Sequence, residues 1–346
     1  MTDSSDPPRV LVAGHACLDL TPQLDAVPGL RPGDLTSVGA LRMSPGGCVA
    51  NTGGDLAELG IVVSAAADIG DDELSASLIR MLADRGLDVG GFRRTSATTS
   101  YSVVIQPRGV DRTFWHHTGA NAGFDGSLLE LPDIDLLHLG YPPLLPALVA
   151  DNGAPLHALL QRAVDRGIAT SLDLAVVDRP DDASRAHWAR VLGSCLPLTD
   201  VITPSMDDLI SSLGEDAVAA GSHTPLPRHG DRPSAVEAAV ALVARGAAIA
   251  VVSDGAHGLG MATASADRFA RAGHAVAALD STWHDVRLSI AASPVERTVT
   301  TTGTGDAATA GLLAGLLRGL GPVEAARYAA DVAAARLSGR PLPREV

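Results

Sequence analysis

Thr298-Val-Thr-Thr-Thr-Gly-Thr-Gly-Asp-Ala-Ala-Thr-Ala-Gly311 is the most informative run in the chain. A hydroxyl-rich extended run stops at Gly303, Thr304, Gly305 and Asp306, and the pattern beyond it predicts a helix over 307–318. Such a turn points several backbone N–H groups outward at the positive end of a helix dipole, where an anion such as a transferring phosphoryl group can be held. Asp306 falls in the first helical turn. A carboxylate there can take a proton from an attacking hydroxyl while the N–H groups of Gly303, Thr304 and Gly305 stabilise the developing charge. Read alone, the same residues also suit a plain helix start capped by Asp306.

A second motif lies far upstream: Ser44-Pro-Gly-Gly-Cys-Val-Ala-Asn-Thr-Gly-Gly-Asp-Leu-Ala-Glu-Leu-Gly60. Gly46 and Gly47 allow a ligand to approach the main chain, and Asn51 follows one helical turn later on the same side. Taken by itself, this motif reads first as a strand-to-helix turn carrying Leu56 and Leu59 into a core. In this order, and about 250 residues apart, the two motifs resemble the signatures of the ribokinase-like, or PfkB, family of carbohydrate kinases. Those signatures are a Gly-Gly with an Asn four residues later and a helix ending near Leu-Gly, then Asp-Thr-x-Gly-Ala-Gly-Asp.

The resemblance covers nearly the whole chain. It implies an α/β fold with a mostly parallel central sheet flanked by helices, and a small β-lid contributed by about 36–44 and 99–117, all within one domain. Val10 to Gly14 reads as a first strand leading to Asp19, which matches the family aspartate that grips sugar hydroxyls; an isolated Asp in that position is otherwise a turn residue. Two alternating runs, 99–106 and 112–117, flank Pro107-Arg-Gly-Val-Asp111 as a lid hairpin would. Alternation selects Ser102 and His116 as lid contacts to the acceptor, and puts His116 and His117 on opposite faces. Asp200 to Ser205 looks like the strand leading to the family's Asn-x-x-Glu, and Ser253-Asp-Gly-Ala-His-Gly258 like its nucleotide-binding turn, which implicates Ser205, Ser253, Gly255 and Gly258 alongside Thr304 and Gly305.

Two positions depart from the family pattern. Asn-x-x-Glu, which arranges the water shell of magnesium, is Ser205-Met-Asp-Asp208 here. Asp208 keeps a carboxylate on a shorter arm and is expected to reach the metal only through water. The leading Asp of the second signature is Thr300, which brings the family's monovalent-cation site into question. Asp173, at the end of a predicted strand, is a further candidate for the metal-phosphate region.

Composition is consistent with an enzyme of this kind. A chain of 346 residues with 46% apolar residues can bury a substantial core. Strand and helix patterns alternate over 61–68, 71–85, 134–140, 155–166, 168–174, 235–244 and 248–253, which favours a parallel sheet wrapped by helices. The segment 214–233, rich in Gly, Pro, Ser and His, reads as a surface insertion. A formal charge of −14 argues against nucleic acid or an anionic membrane as partner. No basic, apolar leader opens the chain and no apolar run is long enough to span a bilayer, so the expected compartment is the cytoplasm. Cys17, Cys48 and Cys195 form neither a disulfide framework nor a zinc motif.

All 26 basic residues are arginine. Without lysine there is no Walker A P-loop, no protein-kinase strand lysine and no Schiff base. The ribokinase-like site is compatible with this, because its phosphate cradle uses backbone N–H groups, hydroxyls, magnesium and one carboxylate. The resulting expectation is phosphoryl transfer from ATP, with Mg²⁺, to a hydroxyl of a sugar or sugar-like molecule. Asp19, Gly46, Gly47 and Asn51 orient the acceptor and Asp306 accepts its proton. Arg42, Arg108 and Arg112 are the lid cations available to an anionic acceptor. A nucleoside kinase of the same fold, and a sugar-binding regulatory protein with a weakened site, are the competing readings; pairing of two copies through the lid is a further expectation.

Overall fold

Alternation along the first strand decides how the chain layers. In a computed structural model that describes residues 7–29, 31–107, 112–178, 180–215, 218 and 233–345, β1 (Arg9–Gly14) is buried from Val10 onward. Val10 and Val12 enter one apolar cluster and Leu11 and Ala13 another, because successive side chains leave a strand on opposite faces. Helices cover both faces, giving three layers.

The next strands are β2 (Cys17–Pro22), β3 (Leu41–Gly46), β4 (Val62–Ala66), the short β5 (Asp68–Ile69) and β6 (Arg93–Arg94), β7 (Tyr101–Ile105) and β8 (Thr113–His117). The second half supplies β9 (Leu136–Gly140), β10 (Ala169–Asp173), β11 (Val201–Ile202), β12 (Ile249–Ser253), β13 (Leu259–Thr263) and β14 (Arg287–Ile290). The main sheet runs β14-β13-β12-β11-β10-β9-β1-β4. From β4 to β12 every pairing is parallel, and β13 is antiparallel to both of its neighbours.

The lid is a separate four-stranded sheet, β3-β2-β7-β8. Beyond the expected segments 36–44 and 99–117 it takes in Cys17–Pro22, the strand that carries Asp19, while residues 36–40 form no strand. Arg108, and nearly all of the 214–233 segment, lie outside the described residues.

The helix Thr304–Leu317 packs against Cys48–Glu58 and Pro322–Ser338. Small residues allow the close approach: a Cβ on Gly311 would fall 2.9 Å from the Ala329 Cα. Asp55, almost fully buried, receives both Arg85 and Arg336 and so ties the helix Cys48–Glu58 to the last helix. Trp188 and Trp283 are buried in the two cores, as structural roles require, while Trp115 is half exposed on the lid. The three cysteines are free and buried. Among the described residues, no helix is long and apolar enough to cross a membrane.

Candidate active site

Gly14 and Gly140 are register partners at the carboxyl ends of β1 and β9. From β1 the chain reaches β4 on one side, whereas the strands after β9 are laid down on the other. The crevice beyond such a reversal is where open α/β sheets hold ligands. Both positions need glycine. Gly14 has φ 122° and a Cβ there would meet the Gly140 carbonyl at 2.6 Å, while a Cβ on Gly140 would overlap Cys48 at 2.2 Å. Their absence lets the helix Cys48–Glu58 begin directly over the strand ends.

That helix and Thr304–Leu317 meet at one carboxylate. Gly303 takes the left-handed conformation at the helix cap, φ 75° and ψ 10°, which aims the first turn into the crevice. Asp306 is 3% exposed. Oδ2 accepts from Tyr141 Oη at 2.6 Å and Asn51 Nδ2 at 3.1 Å, and Oδ1 from Thr52 Oγ1 at 2.9 Å. Burial raises the Asp306 pKa above its ordinary value, and these three hydrogen bonds oppose the rise by favouring the ionised form. Asn51, expected to face the acceptor, also gives its amide N–H to Asp306.

The opposite wall is built from the lid. Asp19, 8% exposed, sits between Ser44 and Ser102 in register. The Cys17 thiol donates to its Oδ1 at 3.5 Å. Burial raises the Asp19 pKa, while hydrogen bonds from Cys17 and Ser102 and the charges of Arg112 and Arg42 pull it back. Gly46 must be glycine here, since a Cβ would come within 2.5 Å of Asp19 Oδ2. Gly47 follows at φ 84° and caps the helix. Ser102 and His116 are register partners on β7 and β8, with Oγ and Nδ1 3.1 Å apart. His117 turns the other way, toward Thr98 at 2.8 Å.

Ser205 and Ser253 form a bridge at the ends of β11 and β12. The turn beyond closes through Asp254 N–H to the Gly258 carbonyl at 2.8 Å, with Gly255 and Gly258 both at positive φ. Asp208 bonds back to Ser205. Its Oδ2 accepts from the Ser205 N–H at 2.8 Å and Oγ at 2.6 Å in a capping box that starts the helix Met206–Leu213. The carboxylate therefore serves the cap, as Glu237 does for Ser234 at the helix Ala235–Ala244. Asp173, the register partner of Gly140, ends β10 beside Tyr141, whose N–H its backbone carbonyl accepts at 3.3 Å; burial first, then Asp306 and Asp208, push its carboxyl well up.

The run before Gly303 is not the extended strand expected. Residues 298–302 form a loop held by hydroxyls. Thr300 Oγ1 accepts from the Thr302 N–H at 3.1 Å, Thr304 Oγ1 donates to the Thr301 carbonyl at 3.1 Å, and Arg112 reaches from the lid to the Thr301 hydroxyl. The helix itself starts earlier than expected, at Thr304.

Sequence reading missed Tyr141, Thr52 and His15. Thr52 adjoins Asn51 in a motif already chosen. Tyr141 and His15 carry no motif, but each follows a strand that ends at the reversal of sheet order, and that topology is the signal that locates them. A separate concavity of about 550 Å³, bounded by Val240, Arg268, Arg271 and Arg287, lies at the amino-terminal ends of the parallel strands. It gathers none of the motif residues.

Residues 8–340 match the family described as pfkB family carbohydrate kinase. Ribokinase from Thermotoga maritima superposes with a TM-score of 0.69 at 18% identity, covering 95% of this chain and 92% of that one. Arabidopsis thaliana ribokinase complexed with ribose and ATP gives 0.68 at 18% identity, over 96% and 93% of the two chains. A nucleoside kinase from Burkholderia thailandensis in complex with inosine gives 0.64 at 18%, over 95% and 91%. At such identities the superpositions carry the fold, and the sequence match carries the membership: this chain belongs to the pfkB family of carbohydrate kinases.

Proposed function

We propose that this kinase transfers the γ-phosphoryl group of ATP to a hydroxyl of a sugar or sugar-like small molecule. One observation carries the reading: a buried carboxylate, Asp306, held by Asn51, Thr52 and Tyr141 at a helix start, beside a crevice whose other wall presents Asp19. Three donors hold the carboxylate in one orientation, ready to take a proton from a hydroxyl placed in the crevice.

In this mechanism Asp19, with the open backbone at Gly46 and Gly47, receives the acceptor's hydroxyls, and Ser102 and His116 close over it. The acceptor hydroxyl gives its proton to Asp306 as its oxygen bonds to the γ-phosphorus. The bond from that phosphorus to the bridging oxygen breaks, and its electron pair leaves with ADP. The first turn of Thr304–Leu317 has N–H groups with no acceptor inside the helix, and those of Gly303 to Gly305 hold the charge that develops. Ser205, Ser253 and the turn to Gly258 line the phosphates.

Magnesium fits this donor set as a hydrated ion delivered with the nucleotide. Among the described residues no three ligating side chains converge, and magnesium of this kind keeps most of its waters. Asp173 would hold it, through water, with Asp208 beside it. When bound, it neutralises phosphate charge.

The test is ADP release over a panel of sugars and nucleosides with magnesium and ATP. Turnover of a sugar supports the reading; turnover of nucleosides alone replaces it with the nucleoside kinase of the same fold; no turnover with any acceptor overturns it.

A further inference from the structure

His15 follows the last residue of β1 and is 3% exposed. Both of its ring nitrogens are buried without a hydrogen-bond partner. A buried polar group in that state costs stability unless something outside the chain completes it.

The backbone of His15 is fixed on three sides. Its N–H donates to the Gly140 carbonyl at 3.3 Å, and its carbonyl accepts from the Val49 N–H at 3.3 Å and the Cys48 thiol at 3.5 Å. Gly47 lies directly against it, since a Cβ there would come within 2.5 Å of His15 Nδ1. The ring stacks on Tyr141 with centroids 5.9 Å apart, and tilts against His116 at 5.1 Å. Tyr141 is bonded to Asp306, and His116 to Ser102, the register partner of Asp19. The orphaned imidazole therefore stands between the two carboxylates, under the glycine turn. His116 Nε2 is likewise buried without a partner.

Resting on the kinase reading above, we propose that His15 is a specificity-determining residue that hydrogen-bonds an uncharged hydroxyl of the acceptor other than the one phosphorylated, with His116 Nε2 completing the same subsite. A neutral imidazole has one N–H and one lone pair, and an alcohol both donates and accepts, so the two are complementary. Burial, and then the neighbouring His116, lower the His15 pKa to about 3, so the ring is neutral across the working range. An acceptor lacking that hydroxyl would leave the ring nitrogens unsatisfied, which is how such sites discriminate.

The experiment compares an acceptor turned over by the wild-type enzyme with its set of monodeoxy analogues, in the wild type, His15→Leu and His15→Asn. The wild type should lose on the order of 10-fold or more in kcat/KM for one deoxy analogue. His15→Leu should lose that preference, with KM for ATP unchanged within twofold, and His15→Asn should recover part of it. A His15→Leu variant that loses activity equally on the acceptor and all its analogues, or that keeps the preference, overturns the subsite and leaves the kinase reading standing. A wild-type enzyme inert on every acceptor overturns both.

Discussion

The Tyr141 hydroxyl donates to Oδ2 of Asp306 across 2.6 Å, from a residue held in the left-handed region at φ 63°. A tyrosine in that conformation costs about 1–3 kcal/mol, which the surrounding packing must offset. The result is a proton donor set against the proposed base from the strand end next to the switch point.

Asp306 must be ionised to accept a proton, so turnover should fall as pH drops through its pKa. Tyr141→Phe removes a donor that favours the carboxylate, a loss of about 1.5–3 kcal/mol, so the acid limb of the kcat profile should move to higher pH by about one to two units. A pH–rate profile checks this. An unmoved limb, or one moved toward acid, would mean that the hydroxyl does not tune the base.

Asp19→Ala deletes the acceptor-side carboxylate while leaving the Gly46–Gly47 turn with more room. Affinity for the acceptor should fall by about 1.5–3 kcal/mol, with ATP binding unaffected. Calorimetric titration reads both, and unchanged acceptor affinity would place the acceptor elsewhere.

Thr300 already closes its loop through a hydroxyl that accepts the Thr302 N–H. With no full negative charge there, a monovalent cation must be dehydrated by neutral ligands alone, so potassium activation should be weak or absent. Thr300→Asp keeps the acceptor and adds the charge, and should introduce potassium dependence. Rates at constant ionic strength in potassium and sodium decide it; strong potassium activation of the wild type would contradict it.

Asp173 is buried against two further carboxylates, and its folded pKa is raised well above the ordinary value of about 3.9. The sign follows by linkage: its contribution to stability is fully present below about pH 3.9 and is lost as pH rises through the folded pKa. Asp173→Asn should therefore melt at a higher temperature than the wild type at pH 8 without magnesium or nucleotide, and the gap should close toward acid pH. Calorimetric melting at several pH values checks this, and a variant less stable at pH 8 would sink it.

The layering was legible because apolar strands and amphipathic helices alternate, and because Ser44–Gly60 and Thr298–Gly311 bracket one site. Local pattern also read through: the helix 235–244 has the limits its pattern predicts, and the two alternating runs 99–106 and 112–117 hold the paired strands β7 and β8. What escaped depended on tertiary placement. Asp19 became part of a strand only because β3 and β7 flank it. The hydroxyl-rich run 298–302 has strand propensity, but its hydroxyls bond locally and make a loop instead. Asp208 could be seen as a carboxylate, whereas its bonds back to Ser205 came into view only with the helix start in place. Tyr141 and His15 sit in no motif; the sheet order alone brings them to the crevice.

The most direct measurement is the turnover of Asp306→Asn. The substitution keeps the side chain's size, and its amide oxygen can still accept from Tyr141 and Asn51, while the capacity to take a proton is removed. The account predicts a fall in kcat on the order of 100-fold or more, with nucleotide affinity within a few-fold of the wild type. Near-normal turnover in a folded Asp306→Asn enzyme would contradict it, and the base would have to be sought elsewhere.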